Sequence, residues 1–251
     1  MAQHKENEDL TAARIQDAMR NASLRNRPYF VGFLDLQQAA LARALSARSA
    51  VQTVFWGGYE EAERVVMGAF PDEQWADPTQ LPVTALEVKF RRSTELTHRD
   101  LLGSLMALGI ERDTVGDILS EKGRAVLFVR RELAEHIAAQ LSRVGREGVE
   151  TIITDQPELP PPRALLPVSS TVASPRLDCV VAVLAHCGRS AAAEQITRGL
   201  VMQNGRISDS VSDEVAEGDI LTLRGVGKFR IEALGPLTKK QRLSFRAGQY
   251  A

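Results

Sequence analysis

Residues 155–175 hold six of the chain's eleven prolines: Pro157, Pro160, Pro161, Pro162, Pro167 and Pro175. Proline locks φ and donates no backbone hydrogen bond, so neither a helix nor a central strand runs through such a stretch. It reads as a stiff, extended boundary between parts that fold separately. A chain of 251 residues is long enough for roughly two or three domains, each with its own core. The expected division is an α/β domain at 1–80, a second domain at 81–155, a Pro-rich linker at 156–168 and a third domain at 169–251.

Residues 1–80 read as mostly helical. A first helix is expected at 10–19, followed by a loop around Asn26 and Pro28. Asp35 is placed to cap a second helix running to about Arg48, with Leu36, Ala40, Leu41 and Leu45 on one side. Residues 51–56 are apolar and β-branched enough for a strand. Gly57 and Gly58 then turn the chain into a helix expected to start near Tyr59. A strand, two glycines and a helix start can cradle phosphate, but Glu60, Glu61 and Glu63 crowd this one and repel an anion. A tight turn is the expected role.

Residues 81–155 alternate between strand and helix patterns. Strands are expected at 83–91, 115–120, 125–130 and 149–154. Helices are expected at 98–108, opened by a Thr97/Asp100 capping box and ended by Gly109, and at 132–144, stopped by Gly145. The order βαββαβ is the ferredoxin-like one, an antiparallel sheet with both helices on one face, and it makes the chain α+β. RNA-recognition motifs share it and stack bases on aromatic residues of the third strand. Here Gly123 to Val129 offers Phe128 alone, so no stacking platform is expected. Arg91, Arg92, Arg99, Arg130 and Arg131 could touch a phosphate backbone, or simply form a solvated charged face.

The formal net charge of −1 does not suggest a nucleic-acid partner, but its distribution does. From Arg176 onward there are 11 Lys+Arg against 8 Asp+Glu, and between Arg224 and Arg246 seven basic residues meet only Glu232. In residues 176–204, Leu177, Val180, Val181 and Leu184 share one face of a predicted helix. Ser190 is expected to cap a second helix, whose buried stripe would be Ala193, Ile196 and Leu200. Arg176 opens the first helix, Arg189 precedes the second and Arg198 lies near its end. The pair is expected to present one basic face to phosphates. Short strands are expected after it, around 200–203, 206–208 and on either side of Gly218 and Gly225.

Other chemistries find little support. The first ten residues are charged, unlike a secretory signal, and no apolar run approaches the roughly 18 residues of a membrane span. Cys179 and Cys187 lie eight residues apart on one predicted helix, too far to bridge, and read as small core residues of a cytoplasmic protein. His98-Arg99-Asp100 lacks the rest of a kinase signature and is better explained by helix capping. No cluster has metal-ligand spacing, and no serine sits in a nucleophile elbow. No enzyme activity, cofactor, metal or small-molecule substrate is expected.

Arg176-Leu177-Asp178, Gly188-Arg189-Ser190-Ala191, Gly199-Leu200-Val201, Asn204-Gly205 and Gly218-Asp219-Ile220 together resemble the S-four (αL-type) RNA-binding domain, over about 170–235. One departure is Gly188, where many members carry Ser. Upstream, Phe33-Leu34-Asp35, the run from Gly57-Gly58-Tyr59 to Glu63-Arg64, Leu96 to Asp100, Leu108-Gly109-Ile110 and Val115 to Ile118 are similar to the YlmH family, as is Arg224 to Phe229. That resemblance implies a cytoplasmic, non-catalytic protein that grips structured RNA, ribosomal RNA and tRNA, on the large ribosomal subunit. It further implies a part in ribosome-associated quality control of stalled subunits. RNA contacts would fall to Arg176, Arg189, Ser190, Arg198, Asn204, Arg224, Lys228, Arg230, Lys239, Lys240 and Arg242, with the last of these in a basic C-terminal tail. Two other readings stay open: an RNA-modification enzyme or accessory that docks through the S-four domain, and a protein-interaction factor in cell division or assembly. No synthetase HIGH or KMSKS string accompanies the domain.

Overall fold

The computed structural model describes residues 2–161 and 165–250, so the middle of the Pro-rich segment, 162–164, lies outside the described residues. At those prolines the chain divides into two units, Met1–Pro161 and Pro162–Ala251.

In the first unit, Ile15, Ala18, Met19 and Ala22 recur at helical spacing and are buried, which makes one face of α1 (Ala2–Arg25) apolar. β1 (Tyr29–Leu34) follows, and then α2 (Leu36–Ser46) begins where its capping residue was expected. The backbone N–H of Gln38 donates to Asp35 Oδ1 at 2.9 Å, and the N–H of Asp35 donates to Gln38 Oε1 at 3.0 Å. β2 (Gln52–Trp56) ends at the glycine pair, but no helix starts near Tyr59. Residues 57–64 instead turn the chain into β3 (Val65–Phe70), all six residues of which are buried. Its uninterrupted apolar run is that of a central strand covered on both faces. β3 pairs antiparallel with β1 on one side and β2 on the other.

The rest of the unit runs β4 (Val83–Lys89), α3 (His98–Ala107), β5 (Val115–Glu121), β6 (Arg124–Arg130), α4 (Ala134–Gln140), β7 (Arg143–Val144), β8 (Glu147–Gly148) and β9 (Glu150–Thr154). Four of these strands form an antiparallel sheet in the order β5-β6-β4-β9. Thr97 caps α3 through the reciprocal Asp100 pairing expected of it. The second helix is shorter than expected. It stops at Gln140 because residues 143–148 form a hairpin, turned by Gly145 at φ +59°. Alternation along β4 and β6 then decides the layering. Leu86, Val88, Leu127 and Val129 pack on Leu101, Leu105 and Ile137 of the two helices. Ala85, Val126 and Phe128 point the other way, onto Phe33, Val66 and Phe70 of the three-stranded sheet. The opposite face of that small sheet, Val65, Met67 and Ala69, is covered by α1 and α2.

The second unit is built on one six-stranded sheet. Its elements are β10 (Leu165–Val172), α5 (Leu177–Leu184), α6 (Arg189–Thr197), β11 (Val201–Gln203), β12 (Arg206–Ile207), β13 (Ile220–Leu223), β14 (Gly227–Leu237) and β15 (Leu243–Tyr250). The strand order is β10-β15-β14-β13-β11-β12. Two expectations change here. Residues 165–168, assigned to the linker, belong to β10, which pairs with β15 from Leu165↔Tyr250 to Val172↔Leu243. The basic segment 224–246 is no tail, because β14 and β15 make a long hairpin whose Phe229, Ile231, Phe245 and Ala247 enter the core. Leu177, Val180, Val181 and Leu184 are all buried in that core, as the helical spacing requires. No helix among the described residues is long and apolar enough to cross a membrane.

Candidate nucleic-acid interface

The start of α5 carries the most organised charge cluster of the second unit. Asp178, in the first turn, is only 5% exposed and accepts hydrogen bonds from two guanidiniums. Arg176, the N-cap residue of α5, donates from Nε at 3.2 Å and Nη2 at 3.3 Å; Arg189, the first residue of α6, donates from Nη2 at 2.6 Å. Burial pushes the Asp178 carboxyl up, but the two arginines outweigh it and hold it at about 2. The same contacts raise Arg189. Both arginine side chains remain about half exposed, at 42% and 58%. One buried carboxylate therefore fixes two outward cations and leaves a net charge of +1. The remaining guanidinium donors are available to a ligand.

The cap of α6 differs from expectation. Gly188 is the N-cap and Ser190 is the second helical residue, so no side chain satisfies the first-turn N–H groups. Of the expected buried stripe, Ile196 is buried as expected, whereas Ala193 and Leu200 are only half-buried and Ala192 takes the inward place. Open space surrounds Gly188. An uncapped helix start beside Arg189 suits an anion.

The single basic face expected of the remaining residues is divided. Arg198 lies nine residues beyond Arg189, about 13 Å along the helix, and donates from Nη1 to Glu194 Oε1 at 3.1 Å. Arg224 is exposed and joins that far end, since its backbone N–H donates to the Leu200 carbonyl at 2.9 Å. Lys228 and Arg230 alternate with the buried Phe229 and Ile231, so they project from the sheet face opposite the helices. Lys228 Nζ sits 5.0 Å from the centroid of the Tyr250 ring. Lys239 and Lys240 are exposed in the β14–β15 turn. Arg242 folds back onto β10, donating from Nε to Thr171 Oγ1 at 2.9 Å and from Nη2 to the Thr171 carbonyl at 2.7 Å. Asn204 is also committed to structure. With Gly205 it takes positive φ (51° and 78°) between β11 and β12, the signature of a two-residue I′ turn. Its side chain donates to Asp219 Oδ1 at 2.8 Å and accepts from the Ile220 N–H at 2.9 Å.

In the first unit, the sheet face on which RNA-recognition motifs stack bases is closed. Phe128 is 1% exposed, and Tyr59 stacks on it with ring centroids 5.0 Å apart. The loop carrying Tyr59 is tied down by Asp117, which accepts from Tyr59 Oη at 2.9 Å, Glu63 N at 2.7 Å and Arg64 N at 3.2 Å. Arg64 in turn donates to the carbonyls of Val115 at 3.1 Å and Phe33 at 2.8 Å. Burial lowers Arg64 to about 10, with Arg112 adding to the fall, and burial raises Asp117 against the pull of its hydrogen bonds. Segments 33–35, 57–64 and 115–118, distant in sequence, thus meet in one buried polar network that joins the two sheets. Sequence reading found these residues as motifs but not their meeting point, because nothing local in Gly57 to Arg64 reports a carboxylate 53 positions away.

Among the described residues no group of His, Cys, Asp and Glu could hold a metal ion. Both cysteines are free; Cys179 is buried in α5, while Cys187 lies beyond the end of that helix.

Comparison with known proteins shows what the chain is similar to. Residues 79–156 match the family model described as "Putative RNA-binding domain in YlmH". Over 212 residues the chain is 31% identical to a ribosome-associated protein quality control protein of Bacillus subtilis (strain 168), covering 84% of this chain and 82% of that protein. The fold resembles a solved structure of the cell division protein ylmH from Streptococcus pneumoniae, with a TM-score of 0.52 and 21% identity over 59% of this chain and 91% of that one.

Proposed function

Because the chain belongs to the YlmH family, we propose that it is a non-catalytic, cytoplasmic RNA-binding protein acting on the ribosome. It grips structured RNA, ribosomal RNA or tRNA, on the large subunit during ribosome-associated quality control. The observation that carries this reading is Asp178, a buried carboxylate that aims Arg176 and Arg189 outward beside the uncapped start of α6. Fixed guanidiniums next to free backbone N–H groups grip phosphate without reading base identity, which suits RNA duplexes whose base edges lie in a narrow groove. The relative's name supports the ribosomal setting, and the family model's description supports RNA as ligand. On this reading the second unit is an S-four, αL-type domain and residues 81–155 a ferredoxin-like one.

Sedimentation of tagged protein through a sucrose gradient tests it. Wild-type protein is expected to travel with free large subunits, and the double variant Arg176→Gln/Arg189→Gln to stay near the top. If about five phosphates are neutralised, log affinity for structured RNA falls with log salt at a slope of roughly −3.5 to −4.5. Wild-type protein that stays among unbound proteins at low salt, or binds RNA with no salt dependence, overturns the reading.

A further inference from the structure

We propose a second phosphate-binding site, on the first unit, at the end of the four-stranded sheet where β4 finishes and β9 begins. It rests on the RNA-binding reading and extends it to Arg91, Arg92, Lys122, Arg143 and Arg146. Three connections bring these residues to one rim. The Phe90 N–H donates to the Gly123 carbonyl at 2.9 Å, and the Gly123 N–H to the Thr94 carbonyl at 3.3 Å, so the segment after β4 lies against the β5–β6 turn that carries Lys122. The Arg91 backbone N–H donates to Glu147 Oε1 at 3.3 Å, which brings the β7–β8 hairpin, with Arg143 and Arg146, against the same segment. Finally, Lys89 pairs with both Arg124 and Glu150, fixing the start of β6 and of β9 at this end.

The rim is basic in a chain that is not. Residues 89–95, 121–124 and 142–150 hold seven Lys+Arg against four Asp+Glu, while the whole chain carries −1. Two of the four acids are already engaged, Glu121 with Arg124 and Glu147 with Arg91, and Glu87 and Glu158 from outside these ranges pair with Lys89 and Arg124, so the rim's open charge comes from its remaining cations. Among the described residues Arg92, Lys122, Arg143 and Arg146 are exposed and take part in no ion pair.

Arg91 is held as Arg176 and Arg189 are. Glu147, 7% exposed, accepts from Arg91 Nε at 2.8 Å and Nη2 at 2.7 Å. The Arg91 side chain is nonetheless 75% exposed. A buried carboxylate that grips one edge of a guanidinium leaves its other donors turned outward, so less side-chain freedom is lost when a phosphate arrives. The covered sheet face rules out base stacking there, and the rim offers charge and fork geometry without an aromatic platform. Its ligand is therefore the sugar–phosphate backbone of structured RNA, bound without base preference.

The test compares the full-length protein with Arg143→Gln/Arg146→Gln and Arg92→Gln/Lys122→Gln, all solvent-facing changes, after far-UV circular dichroism establishes native folding. Fluorescence anisotropy is measured on a labelled RNA hairpin of about 20 base pairs between 50 and 200 mM salt. Each pair of substitutions is expected to lower affinity roughly tenfold and to flatten the log–log salt slope by about 1.8, two phosphate contacts at about 0.9 each. Wild-type binding with both variants unchanged in slope and affinity overturns this site and leaves the proposed function standing; no wild-type binding removes the proposed function itself. Variants that bind the naked hairpin normally yet leave the large subunit in a gradient would reassign the rim to an acidic protein surface and overturn the RNA assignment.

Discussion

Asp178→Asn keeps the shape of the side chain and removes the charge that holds Arg176 and Arg189. In the folded chain burial acts to raise this carboxyl, yet the two guanidiniums bring it from 3.8 to about 2. A shift of that size is worth on the order of 2.5 kcal/mol at neutral pH. The arginines are 42% and 58% exposed, and solvent screening reduces the figure to about 1–1.5 kcal/mol. The folded value lies below the unfolded one, so the contribution is complete above about pH 4 and fades as the pH falls through 2. Hydrogen exchange with mass spectrometry, read on peptides spanning α5 and α6 in the full chain, measures it locally. At pH 7 the variant should exchange about 5- to 13-fold faster than wild type. The free-energy gap should shrink to roughly a third of its neutral value by pH 2.5. RNA affinity separates two physical pictures. If charge alone matters, the variant gains a positive unit and binds more tightly; if Asp178 aims the guanidiniums, binding weakens. Equal exchange at every pH, or tighter RNA binding, would refute the aiming role.

Two further predictions concern the buried network of the first unit. A Cβ on Gly58 would lie 2.1 Å from Phe128 Cδ1, at φ +104°, so Gly58→Ala should lose about 3 kcal/mol or more from strain and overlap together. Gly145→Ala, with open space around it, should lose only about 1 kcal/mol; equal melting temperatures by calorimetry would contradict the close packing. Burial and the neighbouring Asp117 carboxylate raise Tyr59 above the ordinary tyrosine value, so among the chain's three tyrosines its absorbance change at alkaline pH should come late and vanish in Tyr59→Phe. Because the folded value is the higher one, the stability it contributes is present below about pH 10 and lost as the pH rises further; early titration of Tyr59 would show that the hydroxyl is open to solvent.

Much of the fold was readable along the chain. Asp35 and Thr97 capped helices where their side chains could reach the N3 amide, a preference set within four residues. The order of β4, α3, β5, β6, α4 and β9 followed from alternation and turn glycines, without the β7–β8 hairpin, and the prolines marked the division between units. The misses have different causes. A helix is expected from near Tyr59 because Gly-Gly-Tyr-Glu-Glu-Ala satisfies local helix rules, and what overrides them is Asp117, contributed by β5. Ser190 looked like a cap, but the residue before Arg189 already has the extended backbone of an N-cap, φ −74° and ψ 156°.

For the interface, residue type and charge segregation pointed to arginines at the starts of two helices, and those positions were determined by the local pattern. Which arginines act together was a tertiary matter. Arg176 and Arg189, thirteen positions apart, share one carboxylate, whereas Lys228 and Arg230 fall on the other side of a sheet by the parity of their strand. Arg91 acquired its fixed aim from Glu147, 56 positions away. Propensity and capping act over a few residues and can be read from a string; the pairing of a buried charge depends on which distant segment packing brings beside it, and only the folded chain decides that.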